Sequence, residues 1–238
     1  MKKRTNTILL GAVVAALLFI TVAVVSAKSI LAEAFKEVES VELSGEEVER
    51  SFAVGDFSGV SVSGGWRLTI SEGPSHSLRI AGDSVLVETA TVDVEGDALV
   101  LRAEGVAPPF SGGLRADVQV PRLTTVRSTG GSDILLRNVT AEELSITNSG
   151  ASSLRAEGGT IRRLEVDSEG AANIEFSSAE VYEADIVLEG AGNVELSMTG
   201  GELTGRISGV GNVEYSGTVR REAIRIDGVG SVERREAD

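Results

Sequence analysis

One feature limits what this chain can fold into more than any other. A Gly-x-x-x-apolar unit recurs at Gly130, Gly150, Gly170, Gly190, Gly209 and Gly228, at spacings of 20, 20, 20, 19 and 19 residues. Four residues after each glycine stands Ile134, Leu154, Ile174, Val194, Val213 or Val232. One residue earlier stands Asp133, Ser153, Asn173, Asn193, Asn212 or Ser231. A second apolar pair precedes each glycine: Leu144/Ile146, Leu164/Val166 and Ala184/Ile186, then, slipped by two residues, Leu203/Ile207 and Ile224/Ile226. A period near twenty is that of one coil of a β-solenoid. A single coil cannot bury its own apolar face, but stacking coils at about 4.8 Å pairs their backbones and joins their side chains into one core.

The same alternation reaches upstream through Val60/Val62, Leu68/Ile70, Leu78/Ile80, Leu99/Leu101 and Val118/Val120, punctuated by turns such as Glu95-Gly96-Asp97. Glycine is 28 of 238 residues and aromatics are only 4%, which suits an aliphatic, turn-rich β-protein. The fold class predicted is all-β: a right-handed parallel β-helix with coils of about 20 residues over 52–234, preceded by an N-terminal hydrophobic helix. The repeat glycines are expected to adopt positive φ at the corners. Asn173, Asn193 and Asn212 are expected to stack as an amide ladder or to occupy left-handed turns.

Lys2, Lys3 and Arg4 precede Ile8–Val25, 18 residues without a charge. As a helix this run is roughly 27 Å long, enough to cross a bilayer core. Val25-Ser26-Ala27 is an acceptable cleavage site, so residues 1–27 are read as a signal peptide or an N-terminal membrane anchor, the length favouring the anchor. Both readings export the remainder. Residues 28–51 read as a linker with a short helix, followed by a loop through Glu46, Glu47 and Glu49.

Composition excludes several chemistries. The chain has no cysteine, so it has no disulfide, thiolate metal site or cysteine nucleophile. One histidine, His76, leaves no His–His pair, and in its turn it reads as a surface residue. A formal charge of −14 argues against nucleic acid as a partner. No cofactor and no metal are expected. Trp66 reads as a cap on the first coils rather than a sugar platform, and Asn138-Val139-Thr140 as a glycosylation acceptor only in form.

The candidate binding residues form an acidic column. Glu175, Glu195, Glu214 and Glu233 stand five residues after their glycines, with Arg155 at the same phase one coil earlier. Like charges about 5 Å apart repel by roughly 1 kcal/mol in water, so salt, a cation, an arginine or a basic partner should offset them. A solvated outer face is the plain reading, and a cation-binding or basic-ligand surface the sharper one. A glycosidase pair needs two carboxylates in unequal environments, which identical stacked positions do not offer.

Two stretches carry a family resemblance. One is Phe57-Ser58-Gly59-Val60-Ser61-Val62-Ser63-Gly64 followed by Leu68-Thr69-Ile70; the other is Gly190-Ala191-Gly192-Asn193-Val194 with Gly209-Val210-Gly211-Asn212-Val213. Val118-Gln119-Val120-Pro121-Arg122-Leu123 also fits. Together they resemble the bacterial family called putative auto-transporter adhesin, head GIN domain, over about Phe52 to Val232, although a literal Gly-Ile-Asn is absent. The resemblance implies an exported β-helix with no catalytic residue to carry over. The function expected is that of a non-enzymatic cell-envelope protein, an adhesin-like solenoid that binds a surface, matrix or envelope partner and meets the membrane through its N-terminal helix if that is uncleaved. Two alternatives stand beside it. A small carbohydrate-active β-helix would need Arg155, Arg162 and Arg163 to face carboxylates. A polymerising envelope scaffold would stack end to end, which the charged tail from Glu233 to Asp238 is expected to block.

Overall fold

The computed structural model describes residues 43–103 and 113–235. The expected anchor at 1–27, most of the linker and the Pro108-Pro109 loop lie outside the described residues. Three long strands, β9 (Gly131–Asn148), β10 (Ala151–Ser168) and β11 (Ala171–Leu188), each run through most of one coil. Their alternation of buried and exposed residues breaks twice per coil. In β9 the breaks are the exposed neighbours Arg137-Asn138 and Glu142-Glu143, and Ser149-Gly150 makes the third bend. An inside-outside pattern of period two can shift by one only where the chain turns, so each coil has three flat stretches and three corners. Asn138 takes φ 51° at the first corner, and Gly158 takes φ 71° at the same place one coil on. Only glycine or a short polar residue enters that region cheaply.

The later coils divide into β12 (Ala191–Thr199) and β13 (Glu202–Ile207), then β14 (Val210–Thr218), β15 (Arg221–Ile226) and β16 (Val229–Arg234). All stack in parallel register, giving a β-solenoid of about 6 turns. Ile134, Leu154, Ile174, Val194 and Val213 form one column, none more than 3% exposed. Val232 continues it in the last coil and is half-buried. Behind it Leu136, Ala156, Phe176, Leu196 and Tyr215 follow one another, all buried, the small alanine making room between larger neighbours.

Two expectations about the repeat are corrected. The second apolar pair does not slip: Ala184, Ile186 and Leu188 face Leu203, Gly205 and Ile207 in register, and a glycine merely replaces the middle apolar residue. The change from 20 to 19 residues is taken up elsewhere. The corner at Ser177–Ala179 loses three residues in the next coil, and the corner at Thr199–Gly201 gains two, so the faces stay in phase. Nor do the repeat glycines use positive φ: Gly150, Gly170, Gly190, Gly209 and Gly228 do not fall among the positive-φ residues, whereas Gly130 does. Their reason is steric. A Cβ at each would overlap the carbonyl oxygen of the glycine one coil before. The corner is a ladder of glycines because backbone lies directly on backbone.

The N-terminal part adds shorter strands: β1 (Glu47–Phe52), β2 (Gly59–Ser63), β3 (Trp66–Glu72), β4 (Ser77–Asp83), β5 (Thr91–Glu95), β6 (Ala98–Arg102), β7 (Leu114–Val120) and β8 (Thr125–Thr129). β3 and β7 extend one face in parallel, and β8, β2 and β6 extend another. β4 then pairs antiparallel with β7, β1 with β4, and β5 with β6. So the regular coils expected from residue 52 begin later, and the segment expected as a loop before residue 52 is partly strand β1. A short helix, α1 (Ser84–Thr89), is N-capped by Asp83, which also receives the Gly45 N–H at 2.7 Å.

Candidate binding face

The flat stretch after the glycine corner presents its outward residues in columns. Asn173, Asn193 and Asn212 are in direct register, as are Glu175, Glu195, Glu214 and Glu233. Between them the inward valines and isoleucine fix the alternation, so each amide and carboxylate repeats at the coil spacing. The Asn212 amide donates to Asn193 Oδ1 at 3.3 Å, and Ser231 donates from its backbone N–H and its hydroxyl to Asn212 Oδ1, each at 3.1 Å. None of these asparagines has positive φ, so they do not occupy left-handed turns; Asn193 and Asn212 are hydrogen-bonded to each other, and Asn173 stands in register with them.

The acidic column is bracketed by arginines. Arg155 Nε donates to Glu175 Oε2 at 2.9 Å, and the Ser177 hydroxyl donates to Glu175 Oε1 at 3.1 Å. At the other end Arg235 lies against Glu214 and reaches Glu195 at 3.6 Å. Its backbone N–H is fixed to the Tyr215 carbonyl at 2.7 Å. The Glu175 and Glu214 side chains are each only 28% exposed. The column is therefore a partly screened, internally paired strip rather than a freely solvated one. Among the described residues no three His, Asp or Glu converge as a metal site, because a straight ladder holds its carboxylates side by side.

A groove of about 550 Å³ opens at the N-terminal end of this face. Its floor is Ala151, Ala171 and Ala191, which stand in register; the same column continues beyond the groove as the exposed Val210 and Val229. Arg67 and Arg115 stand in register at its end, Arg67 near Asp133 at 3.9 Å and Arg115 paired with Glu47. Reading the sequence missed this groove, although the alanine directly after each of three repeat glycines is its signal.

The remaining candidates separate. Arg162 pairs with Glu142 at 3.4 Å, and Arg163 with Glu165 at 3.1 Å and Glu183 at 3.4 Å, at a corner away from Arg155. The Glu165 hydrogen bond raises the Arg163 pKa against partial desolvation. Trp66 is 1% exposed, its indole N–H donating to the Ser63 carbonyl at 3.0 Å. His76 is not the free surface residue expected. Its Nε2 lies 2.8 Å from the Phe57 carbonyl oxygen and its Nδ1 3.2 Å from Asp56, holding the Phe57 segment onto the cap.

Three solved structures share this architecture. A putative adhesin from Bacteroides fragilis is 18% identical with TM-score 0.65, over 82% of this chain and 100% of that one. Putative adhesins from Parabacteroides distasonis (16%, TM-score 0.51) and Parabacteroides merdae (15%, TM-score 0.50) each cover 81% of this chain and 98% of their own. At such identities the likeness is one of fold. No curated protein matches the chain. The family model described as putative auto-transporter adhesin, head GIN domain, matches residues 56–218, from the clamped Phe57 segment through β14. Since that match takes in more than half of the sequence and runs from the N-terminal cap well into the coils, the chain belongs to the putative auto-transporter adhesin, head GIN domain family.

Proposed function

We propose that this chain is a non-enzymatic, exported binding solenoid of the cell envelope, with the Asn–Glu face as its contact surface. Membership of an adhesin-named family supports binding over catalysis and supports export. The observation that carries the choice of face is the pair of outward ladders, amide beside carboxylate, repeated over consecutive coils. A flat array with one donor–acceptor pattern per coil suits a partner that is itself repetitive or extended. Among the described residues no helix is long and apolar enough to cross a membrane, so attachment through the N-terminal segment rests on the sequence alone.

The carbohydrate-active alternative loses ground. Arg155 is committed to Glu175, and Arg162 and Arg163 stand at another corner, paired with Glu142, Glu165 and Glu183. Displaying the full chain on a non-adherent bacterium tests the reading. Wild-type display should raise attachment to host-matrix or bacterial-envelope surfaces, and the Asn193→Ala/Glu195→Ala variant should lose that gain. No gain for the wild type rejects adhesion; an equal gain for the variant rejects this face.

A further inference from the structure

On the flat stretch before the last two glycine corners we infer a second binding surface, formed by β13 and β15, for an acidic polysaccharide that carries a carboxylate on every second sugar. It lies round the corner at Gly209 and Gly228 from the Asn–Glu face and does not depend on that face as a contact surface.

The outward residues of the two strands stack as Glu202 with Arg221, Thr204 with Ala223 and Arg206 with Arg225. Twice on this surface one carboxylate serves two arginines. Arg225 Nε donates to Asp227 Oδ1 at 2.7 Å, and Arg206 Nε lies 2.9 Å from Asp227 Oδ2. Arg220 Nη2 donates to Glu202 Oε1 at 2.9 Å, and Arg221 Nη1 lies 3.8 Å from Glu202 Oε2. The two acidic side chains are only 26% and 27% exposed, whereas the arginines are between 56% and 78% exposed. The acids therefore sit low and the guanidiniums stand above them. Two oxygens cannot occupy all the donors of two guanidinium forks, so donors remain for a ligand. Each group is also one positive charge in excess, in a chain whose formal charge is −14. The Arg225 hydrogen bond, foremost, holds the Asp227 carboxyl below the ordinary carboxylate range against partial desolvation, so Asp227 stays a charged anchor for both arginines.

The spacing selects the ligand. Arg221 and Arg225 are four residues apart on one strand, roughly 13 Å. Between them Thr204 and Ala223 are small and leave the path flat. A free anion reaches one group only. A stiff polymer with a charge on alternate sugars reaches both, and its second contact is intramolecular. Its carboxylates suit the planar forks. A denser polyanion brings charges that meet no arginine and comes up against Asp185, one coil back beside Thr204. At physiological salt the acidic column on the other face is screened beyond about 8 Å, so the local surplus decides.

Hyaluronan, in which a uronic acid alternates with a neutral sugar, is the probe, immobilised on a sensor surface with the full chain in nonionic detergent. At low salt the wild type should bind it and not dextran, and should leave as salt rises. Arg221→Ala/Arg225→Ala should lose most of the binding with melting unchanged, since both side chains are exposed. Arg221→Lys/Arg225→Lys keeps the charge but not the fork and should bind several-fold more weakly than the wild type. If the alanine variant melts lower, the lysine variant decides. Asn193→Ala/Glu195→Ala should bind as the wild type does. Absence of wild-type binding overturns the inference, as does undiminished binding by the alanine variant, which puts the contact elsewhere. Equal binding by the lysine variant, or equal capture by polyglutamate, shows diffuse charge attraction and overturns it too. So does a matching loss in Asn193→Ala/Glu195→Ala, which makes the two faces one, or stronger retention on phosphatidylglycerol vesicles, which makes the partner a membrane.

Discussion

Gly190 shows how much one absent methyl group decides. Its Cβ position is occupied by the Gly170 carbonyl oxygen, a backbone atom that cannot rotate away. Gly190→Ala should therefore cost about 1–3 kcal/mol, as overpacking does, read as a lower denaturation midpoint. Gly55→Ala is the control: nothing lies within 4 Å of its Cβ position, and stability should hold or rise. Tyr215 carries a pH dependence. Burial, then the hydrogen bond to Glu222 at 2.6 Å and the charge of that carboxylate, raise its pKa above the ordinary value, against the pull of Arg234. A raised folded-state pKa favours the protonated phenol. Its contribution is complete below about pH 10, the unfolded value, and is lost as pH rises through the folded value. Stability should fall in that alkaline range, and Tyr215→Phe should flatten the fall. At neutral pH the same variant should lose only about 1 kcal/mol, the net worth of the hydrogen bond, because the exposed Glu222 carboxylate can turn to water. Arg235→Ala should unscreen Glu195 and Glu214 and cost a few tenths to about 1 kcal/mol at low salt. That loss should shrink as salt rises, and Glu195→Gln should recover part of it.

Strands are where reading the sequence succeeded and where it stopped. The column through Val194 was legible because a period of one coil returns the same side chain to the same environment. Val194→Asp should bury an unpaired charge between coils and cost several kcal/mol, abolishing cooperative melting. Val229→Asp, at a position 71% exposed, should leave melting nearly unchanged. Leu203 and Ile207 were harder, because Gly205 erased the apolar residue that marks the phase. The repeat glycines were seen but misassigned: spacing shows that a glycine is required, and only the stacked coil shows that a carbonyl is the reason. The antiparallel cap of β1, β4 and β5 was invisible for a different cause, since alternation reveals a strand's two faces and not its partner or direction. The acidic column was legible as a phase, but Arg235, twenty-one residues from Glu214, was not legible as its neighbour.

At the scale of the whole molecule, stability divides into coil-on-coil contacts, each coil touching only its neighbours. A copy of residues 151–170 inserted after Gly170 should therefore fold, with the second Ala151 landing on the alanine column, the second Gly170 on the glycine corner and every column gaining one member. Circular dichroism should show more strand per molecule and a melting point no lower than the wild type. The compensated corners at Ser177–Ala179 and Thr199–Gly201 carry this further. They change length by three and two residues in opposite senses while both adjoining faces keep their register. Corners thus act as expansion joints in a chain whose faces keep time. A lineage of such proteins can vary its loops at the joints freely, but its reach can change only by whole coils, in steps of about 4.8 Å.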